Sequence, residues 1–154
     1  MQSRRGSVAF LLAQVGAAAS ERFGERAAQI DLTRAQSGLL RVLAHGEPMS
    51  QQALAERLGL APSRLVVLVD ELAARGAIER RADASDRRAH ALYLTAAGRE
   101  LVARLGHVAR EHDQAFCAPL SDAERSQLEK LLGKLADHHG LVPQVHPGFK
   151  KLRG

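Results

Sequence analysis

The sequence predicts a mainly α-helical protein with one small β-sheet of two or three strands. The 154 residues include only four Phe, one Tyr and no Trp, whereas Ala, Leu, Arg and Glu, which favour helices, are abundant. Apolar residues recur with the period of a helix along most of the chain, and the period changes to two only after residue 76. A chain of this length forms one domain that buries about 68–70% of its unfolded surface. It therefore needs no metal or disulfide to fold.

The first helix is expected over about 7–23, where one apolar stripe has helical spacing: Val8, Leu11, Leu12, Val15, Ala19 and Phe23. The same segment is similar to a twin-arginine export signal, because Arg4 and Arg5 precede an apolar stretch and small residues. However, the stripe continues through the expected cleavage site and Gln14 interrupts the apolar stretch. We therefore expect a folded helix in a cytoplasmic protein. No apolar run approaches the roughly 20 residues that span a membrane.

Capping signals predict the next three helices. Each begins at an N-cap residue or a proline and ends at a glycine: Thr33 to Gly46, Ser50 to Gly59, and Pro62 to Gly76. Gln36 completes a capping box with Thr33. The third of these helices has a clear apolar face, formed by Leu65, Leu68, Val69 and Leu72. Only a two-residue turn, Leu60 and Ala61, is expected between Gly59 and the start of this helix.

Two strand-like segments, AIERR and HALYLT, follow Gly76 and flank the tip ADASD. Thr95 then caps a long helix over about 96–117, with an apolar stripe at Leu101, Leu105, Val108, His112 and Phe116. Pro119 ends it, and a capping box of Ser121 with Glu124 begins a last helix that reaches about Asp137. From Gly140 the chain is expected to be an irregular arm.

A short helix, a tight turn, a second helix and a hairpin form a winged helix-turn-helix. We therefore expect a single domain over 1–154 with three parts. Residues 47–95 form the winged lobe, residues 7–46 and 96–139 form a helical dimerisation region, and residues 140–154 form a C-terminal arm.

The segments LAERLGLAPSRLVVLVDELAARGAIERR and DRRAHALYLTAAGREL give the chain its resemblance to a known family. In order and spacing, residues 54–101 resemble the MarR-type (multiple antibiotic resistance) transcriptional regulators. The resemblance implies a homodimer that binds a pseudo-palindromic double-stranded DNA operator. It also implies a small anionic or aromatic ligand that releases the DNA, as in a ligand-responsive repressor. The apolar faces of the terminal helices independently favour a partner chain.

Several residues of the two helices of the expected helix-turn-helix, which begin at Ser50 and Pro62, are candidates for DNA contact. Ser63 and Arg64 lie in the first turn of the second helix, and Arg64 could form paired hydrogen bonds to guanine, although base contact, phosphate contact and simple solvation all stay open. The family often has Thr and Arg where this chain has Val66 and Val67. Val67 could only pack on a thymine methyl group, and Val66 could equally fill the core. Pro62 and Ser63 could likewise touch phosphate or a base. Gln51 and Gln52, at the start of the preceding helix, could position a phosphate or could simply solvate the helix start.

The resemblance also assigns roles in the wing. Arg88 would insert into the minor groove, where narrow A·T-rich stretches concentrate negative potential. Asp86 would orient an arginine through a charge-assisted pair, and Arg87 would contact phosphate or stay in solvent. Arg80 and Arg81 lie on the opposite arm of the wing, where phosphate contact is possible. The alternative for the tip is a salt-bridged surface turn. Net charge is +5, but residues 47–94 carry seven basic and seven acidic side chains, so a DNA argument depends on where the arginines lie.

For the effector, Arg22 and His45 are polar candidates in a cleft expected among the first, second and long helices. We expect no enzyme, no cofactor and no metal site, because the sequence has no nucleophile set or Gly-rich phosphate loop, and its histidines lack ligand spacing. His107 and His112, five residues apart, diverge by about 140°. Two alternatives stay open: a metal- or thiol-responsive DNA-binding sensor that uses histidines or Cys117, and a winged-helix protein-interaction module.

Overall fold

The computed structural model describes residues 6–82 and 90–146, and these residues form six helices and a three-stranded antiparallel sheet. The helices are α1 (Val8–Ala28), α2 (Arg34–His45), α3 (Gln51–Leu58), α4 (Pro62–Ala74), α5 (Ala96–Phe116) and α6 (Asp122–His138). The strands are β1 (Met49–Ser50), β2 (Ile78–Ala82) and β3 (His90–Leu94), in the order β1-β3-β2. The expected fold class is confirmed. No helix in the described part of the chain is both long and apolar enough to cross a membrane.

The predicted caps are present. Thr33, Ser50, Thr95 and Ser121 each accept a hydrogen bond from the backbone three residues on, and the capping boxes with Gln36 and Glu124 are complete. Gly59 has φ +66° and Gly76 has φ +70°, a conformation that glycine adopts without steric cost. These local signals determine where α2, α3, α5 and α6 begin and where α3 and α4 end.

Helix α1 is longer than the sequence predicted, since it continues to Ala28 instead of ending near Phe23. The reason is Ala27, which lies one helical turn beyond Phe23 and is fully buried. An alanine gives a weak apolar signal, and the stripe therefore seemed to end one turn too early. Gly46 also differs from the usual C-cap glycine, because its backbone is extended at φ −107°.

The core lies among α2, α3, α4, the sheet and the first half of α5. Its largest fully buried side chains are mostly leucines and valines: Leu32, Leu39, Leu40, Val42, Leu54, Leu58, Leu65, Val69, Leu72 and Leu92. The predicted inner face of α4 is confirmed, with Leu68 half-buried at its edge. In α5, Leu101 and Leu105 are buried, whereas the rest of its stripe is only half-buried.

Helix α5 begins against the turn that follows α4. The Thr95 backbone N–H donates to the Ala77 carbonyl at 3.1 Å, and the Thr95 hydroxyl donates to the Gly76 carbonyl at 2.5 Å. Gly98 is buried there, and a Cβ at this position would lie 2.0 Å from the Ala77 carbonyl oxygen. Only a glycine fits this close approach of helix and backbone.

Gly98→Ala should therefore destabilise the fold by about 3 kcal/mol, because the added methyl group collides with backbone that cannot rotate away. The measurement is urea unfolding at a fixed protein concentration. The matched control is Gly106→Ala on the same helix, where the nearest atom to an added Cβ is the end of the Arg110 side chain at 3.5 Å. That variant should be up to about 1 kcal/mol more stable, since alanine favours helix. Equal effects of the two changes would contradict the packing argument.

Candidate nucleic-acid interface

Three predicted contact residues lie together at the turn between α3 and α4. Gln51 and Gln52 at the start of α3 and Pro62 at the start of α4 line one open groove of about 400 Å³ with Ala55, Glu56 and Leu60. The Gln52 Nε2 donates to Glu56 Oε1 at 3.4 Å. The backbone thus brings the first turns of both helices to the same surface, and N-terminal helix amides favour anions.

The outward face of α4 continues this surface. Ser63 and Arg64 are exposed in its first turn, and Val67 follows at 54% exposure. Val66 is 37% exposed, so it does not fill the core. Val67 therefore lies on the outward surface of α4 and takes no part in its packed face.

Strand β2 directs its two arginines to opposite sides of the wing, because side chains alternate along a strand. Arg81 lies on the outer side, where it forms an ion pair with Glu79 and its guanidinium lies 4.8 Å from the centre of the Tyr93 ring. Arg80 lies on the side of buried Ile78 and reaches towards α3 and α4. The residues predicted at the tip, Asp86, Arg87 and Arg88, lie outside the described residues.

Sequence reasoning missed the role of Arg80. Its Nη2 lies 2.5 Å from Asp70 Oδ1, and its Nε donates to Gln51 Oε1 at 3.1 Å. The period of two could have indicated the correct side, since Arg80 shares the face of the apolar Ile78. The two partners, however, are 10 and 29 residues away in the sequence.

A separate cluster of aromatic and charged side chains lies between α1 and α5. The His112 ring contacts Phe23 and Phe116 at centroid distances of 5.7 and 5.6 Å, and the Arg22 guanidinium lies 5.6 Å from the centre of the Phe116 ring. Burial lowers the pKa of His112 below its usual value, and the positive charges of Arg26 and Arg22 lower it further. The cluster therefore favours a neutral imidazole.

A cavity of about 340 Å³ lies between the end of α2, strand β3 and α5. Most of its wall is apolar, and Tyr93 and Arg99 supply polar groups; the wall consists of Leu43, Ala44, Gly46, Pro48, Leu92, Tyr93, Leu94, Arg99 and Val102. His45 is exposed between two wall residues, whereas Arg22 is placed at Phe116. The wall includes residues of α2 and α5 but no residue of α1.

Within residues 6–82 and 90–146, no three His, Cys, Asp or Glu side chains are grouped closely enough to hold a metal ion. His107 pairs with Glu111 at 3.2 Å on the surface of α5. Cys117, at the end of α5, is half-buried, and its Sγ lies 3.9 Å from Asp113 Oδ1.

The order of α3, a three-residue connection at 59–61, α4 and the β2–β3 wing defines a winged helix-turn-helix protein. The model of the MarR family matches residues 30–89, which cover α2 to the wing. Over these residues the chain is similar to the MarR family, and the curated relatives that it matches are transcriptional regulators, not enzymes.

Among individual proteins, the chain is 39% identical over 98 residues to a putative transcriptional regulatory protein for the hcr operon of Thauera aromatica. The match covers 64% of this chain and 59% of that relative. Two solved structures of CouR are also similar. The repressor bound to a 23-mer DNA duplex is 28% identical, with a TM-score of 0.74 over 88% of this chain and 99% of that one.

CouR from Rhodococcus jostii RHA1 bound to p-coumaroyl-CoA is 27% identical, with a TM-score of 0.71 over 88% and 96% of the two chains. Apo MarR from Escherichia coli is 22% identical with a TM-score of 0.78 over 86% and 98%, and this likeness concerns the fold alone.

The His112 cluster predicts a specific pH dependence of stability. In the unfolded chain His112 has the ordinary histidine pKa of about 6.5. In the folded chain the pKa of His112 is lower, so the imidazole becomes protonated only at lower pH. The contribution of His112 to the free energy of unfolding is therefore complete above pH 6.5 and falls as the pH decreases towards the folded-state pKa.

Urea unfolding at pH 8 and pH 5.5 measures this difference. The wild type should lose more stability at pH 5.5 than His112→Gln, which has no proton to take up. A wild-type loss retained in full by His112→Gln would refute the assignment.

Proposed function

We propose that this chain is a homodimeric, sequence-specific transcriptional repressor, which a small anionic or aromatic ligand releases from a pseudo-palindromic DNA operator. The observation that carries the proposal is the exposed face of α4, where Ser63, Arg64 and Val67 adjoin the groove at Gln51 and Pro62. A major groove admits such a helix and presents a distinct pattern at each base pair. The DNA-bound CouR structure supports the same assignment by likeness.

In this proposal the contacts divide into two kinds. Arg64 and Val67 contact base edges, with Val67 packed on a thymine methyl group, while Gln51, Gln52, Pro62 and Ser63 contact the backbone or a neighbouring base. In the wing, Arg88 enters the minor groove, Asp86 orients it, and Arg87 and Arg81 approach phosphate. Half-sites about one helical turn apart fit a dimer with two-fold symmetry.

Arg64→Ala and Arg88→Ala should each weaken DNA binding by about tenfold or more, because each removes a contact worth about 1–3 kcal/mol. The duplex is one that the wild-type chain selects from genomic fragments, and fluorescence anisotropy at several salt concentrations gives the affinity. The affinity of the wild type should fall steeply with salt. Arg110→Ala on the exposed surface of the second half of α5 makes the same change of charge away from the lobe and should leave binding unchanged. Unaltered binding by both lobe variants would refute the proposed surface.

The dimer part of the proposal is supported by the apolar surface of the terminal helices. No residue of α6 is buried within the chain, and four leucines on one side of it are 39–50% exposed: Leu128, Leu131, Leu132 and Leu135. In α1 the side chains of Val8, Phe10 and Val15 are more than half exposed. A second copy of the chain covers these faces if the terminal helices interdigitate.

Leu131→Glu should convert the dimer to a monomer, because a carboxylate in the centre of an apolar interface is desolvated without a partner. Light scattering at micromolar concentration should give twice the chain mass of 16.6 kDa for the wild type and the chain mass for the variant. Ser126→Glu adds the same charge on the opposite side of α6 and should stay dimeric. A wild-type chain that is monomeric throughout would exclude the dimer.

The ligand part of the proposal concerns the cavity at Leu43, Leu92 and Arg99 and the polar candidates Arg22 and His45. An apolar wall with one guanidinium suits an aromatic group that carries an anionic end. CouR bound to p-coumaroyl-CoA is a relative that holds such a ligand. A ligand releases DNA only if it binds one arrangement of the two lobes more tightly than the other.

A further inference from the structure

Arg80 joins three elements of the lobe at the edge of the proposed DNA surface. From β2 its guanidinium contacts Asp70 in the middle of α4 and Gln51 at the first residue of α3. The side chains of Asp70 and Arg80 are 57% and 34% exposed. Because water screens such a pair, it contributes little to folding stability. The effect of the Asp70–Arg80 pair therefore concerns the proposed DNA surface and not folding stability.

The contact with Arg80 fixes the orientation of the Gln51 carboxamide. An arginine side chain has only donors, so the amide atom that faces it is the oxygen. The Nε2 group of Gln51 is consequently directed away from Arg80, at the N-terminus of α3. A side chain that could present either an acceptor or a donor is thus held with its donor available to a phosphate oxygen.

Asp70 places a negative charge on the surface that we propose faces DNA, and Arg80 neutralises this charge. Ser63, Val67 and Asp70 follow each other at i, i+4 and i+7, and therefore lie along one outward stripe of α4. A lone carboxylate on this stripe would repel the phosphates of a bound duplex. The ion pair with Arg80 neutralises it without removing it.

We propose that Arg80 is a positioning residue for DNA binding: it neutralises Asp70 on the recognition face of α4 and turns the Gln51 donor towards a phosphate. The proposal rests on the proposed DNA-binding function. It assigns Arg80 no base contact, and it separates Arg80 from Arg81, which lies on the outer side of the wing.

The test compares the affinity of four chains for a labelled duplex that the wild type selects from a random-sequence pool. Arg80→Ala should lower the affinity by at least about tenfold, because it leaves a carboxylate facing phosphate. Adding Asp70→Asn should restore most of the loss, although the double variant has lost the same ion pair. Asp70→Asn alone should not weaken binding. A role in folding alone predicts no such rescue.

A second comparison tests the link to Gln51. Gln51→Ala should weaken binding a few-fold in the wild type and by less in the Arg80→Ala/Asp70→Asn background, where the amide has already lost its orientation. Circular dichroism checks that each chain is folded, and Arg80→Lys supplies a milder change that keeps a charge near Asp70 but lacks the planar geometry for both contacts. Its affinity should fall between those of the wild type and Arg80→Ala.

Wild-type affinity in Arg80→Ala, or no recovery on adding Asp70→Asn, would overturn the role of Arg80. If Arg64→Ala and Arg88→Ala weaken binding in the same assay, the DNA-binding proposal survives that result. If the wild type selects no duplex, the DNA-binding proposal itself fails.

Discussion

The close contact between α5 and the turn after α4 is the constraint on which the arrangement of the lobe and the long helix depends. Gly98 lets the helix approach the Ala77 carbonyl, and Thr95 bonds to both Gly76 and Ala77. Leu101 and Leu105 then enter the core one and two turns later. The first half of α5 is thus part of the winged lobe, while its second half extends to the cluster of Phe23, His112 and Phe116.

Successive side chains of β2 lie on opposite sides of the wing and make different contacts there. Ile78 enters the core and Arg80 engages α3 and α4, whereas Glu79 and Arg81 stay on the outer side with Tyr93. A shift of one residue in the pairing of β2 with β3 would exchange these sides. The register that places Arg80 opposite Leu92 therefore fixes both the core and the charges at α4.

Features that depend on nearby residues were predictable from the sequence. The caps at Thr33, Ser50, Thr95 and Ser121 are contacts between residues three apart, and their side chains identify them directly. The end of α1 was not predicted well, because Ala27 contributes burial without a strong apolar signal. The face of α4 was predicted because Leu65, Val69 and Leu72 have the spacing of a helix.

The site was less predictable where it depends on distant contacts. The bridge from Arg80 to Gln51 and Asp70 requires the register of a strand and the packing of two helices, which no local pattern specifies. For the same reason the effector candidates were chosen by polarity alone, and Arg22 lies on the aromatic cluster with Phe116 instead of in the cavity beside β3.

The positions of the charged side chains matter more for DNA binding than the neutral total of residues 47–94. Of the seven acidic side chains in this segment, four have a partner within the described structure. Glu56 accepts from Gln52, Glu71 accepts from Gln36 at 2.8 Å, and Asp70 and Glu79 pair with the two arginines of β2. Only Asp70 and Glu79 are neutralised by these contacts, because a glutamine amide carries no charge. A surface for phosphate is compatible with a neutral lobe when the carboxylate on the outward stripe of α4, Asp70, is paired with Arg80.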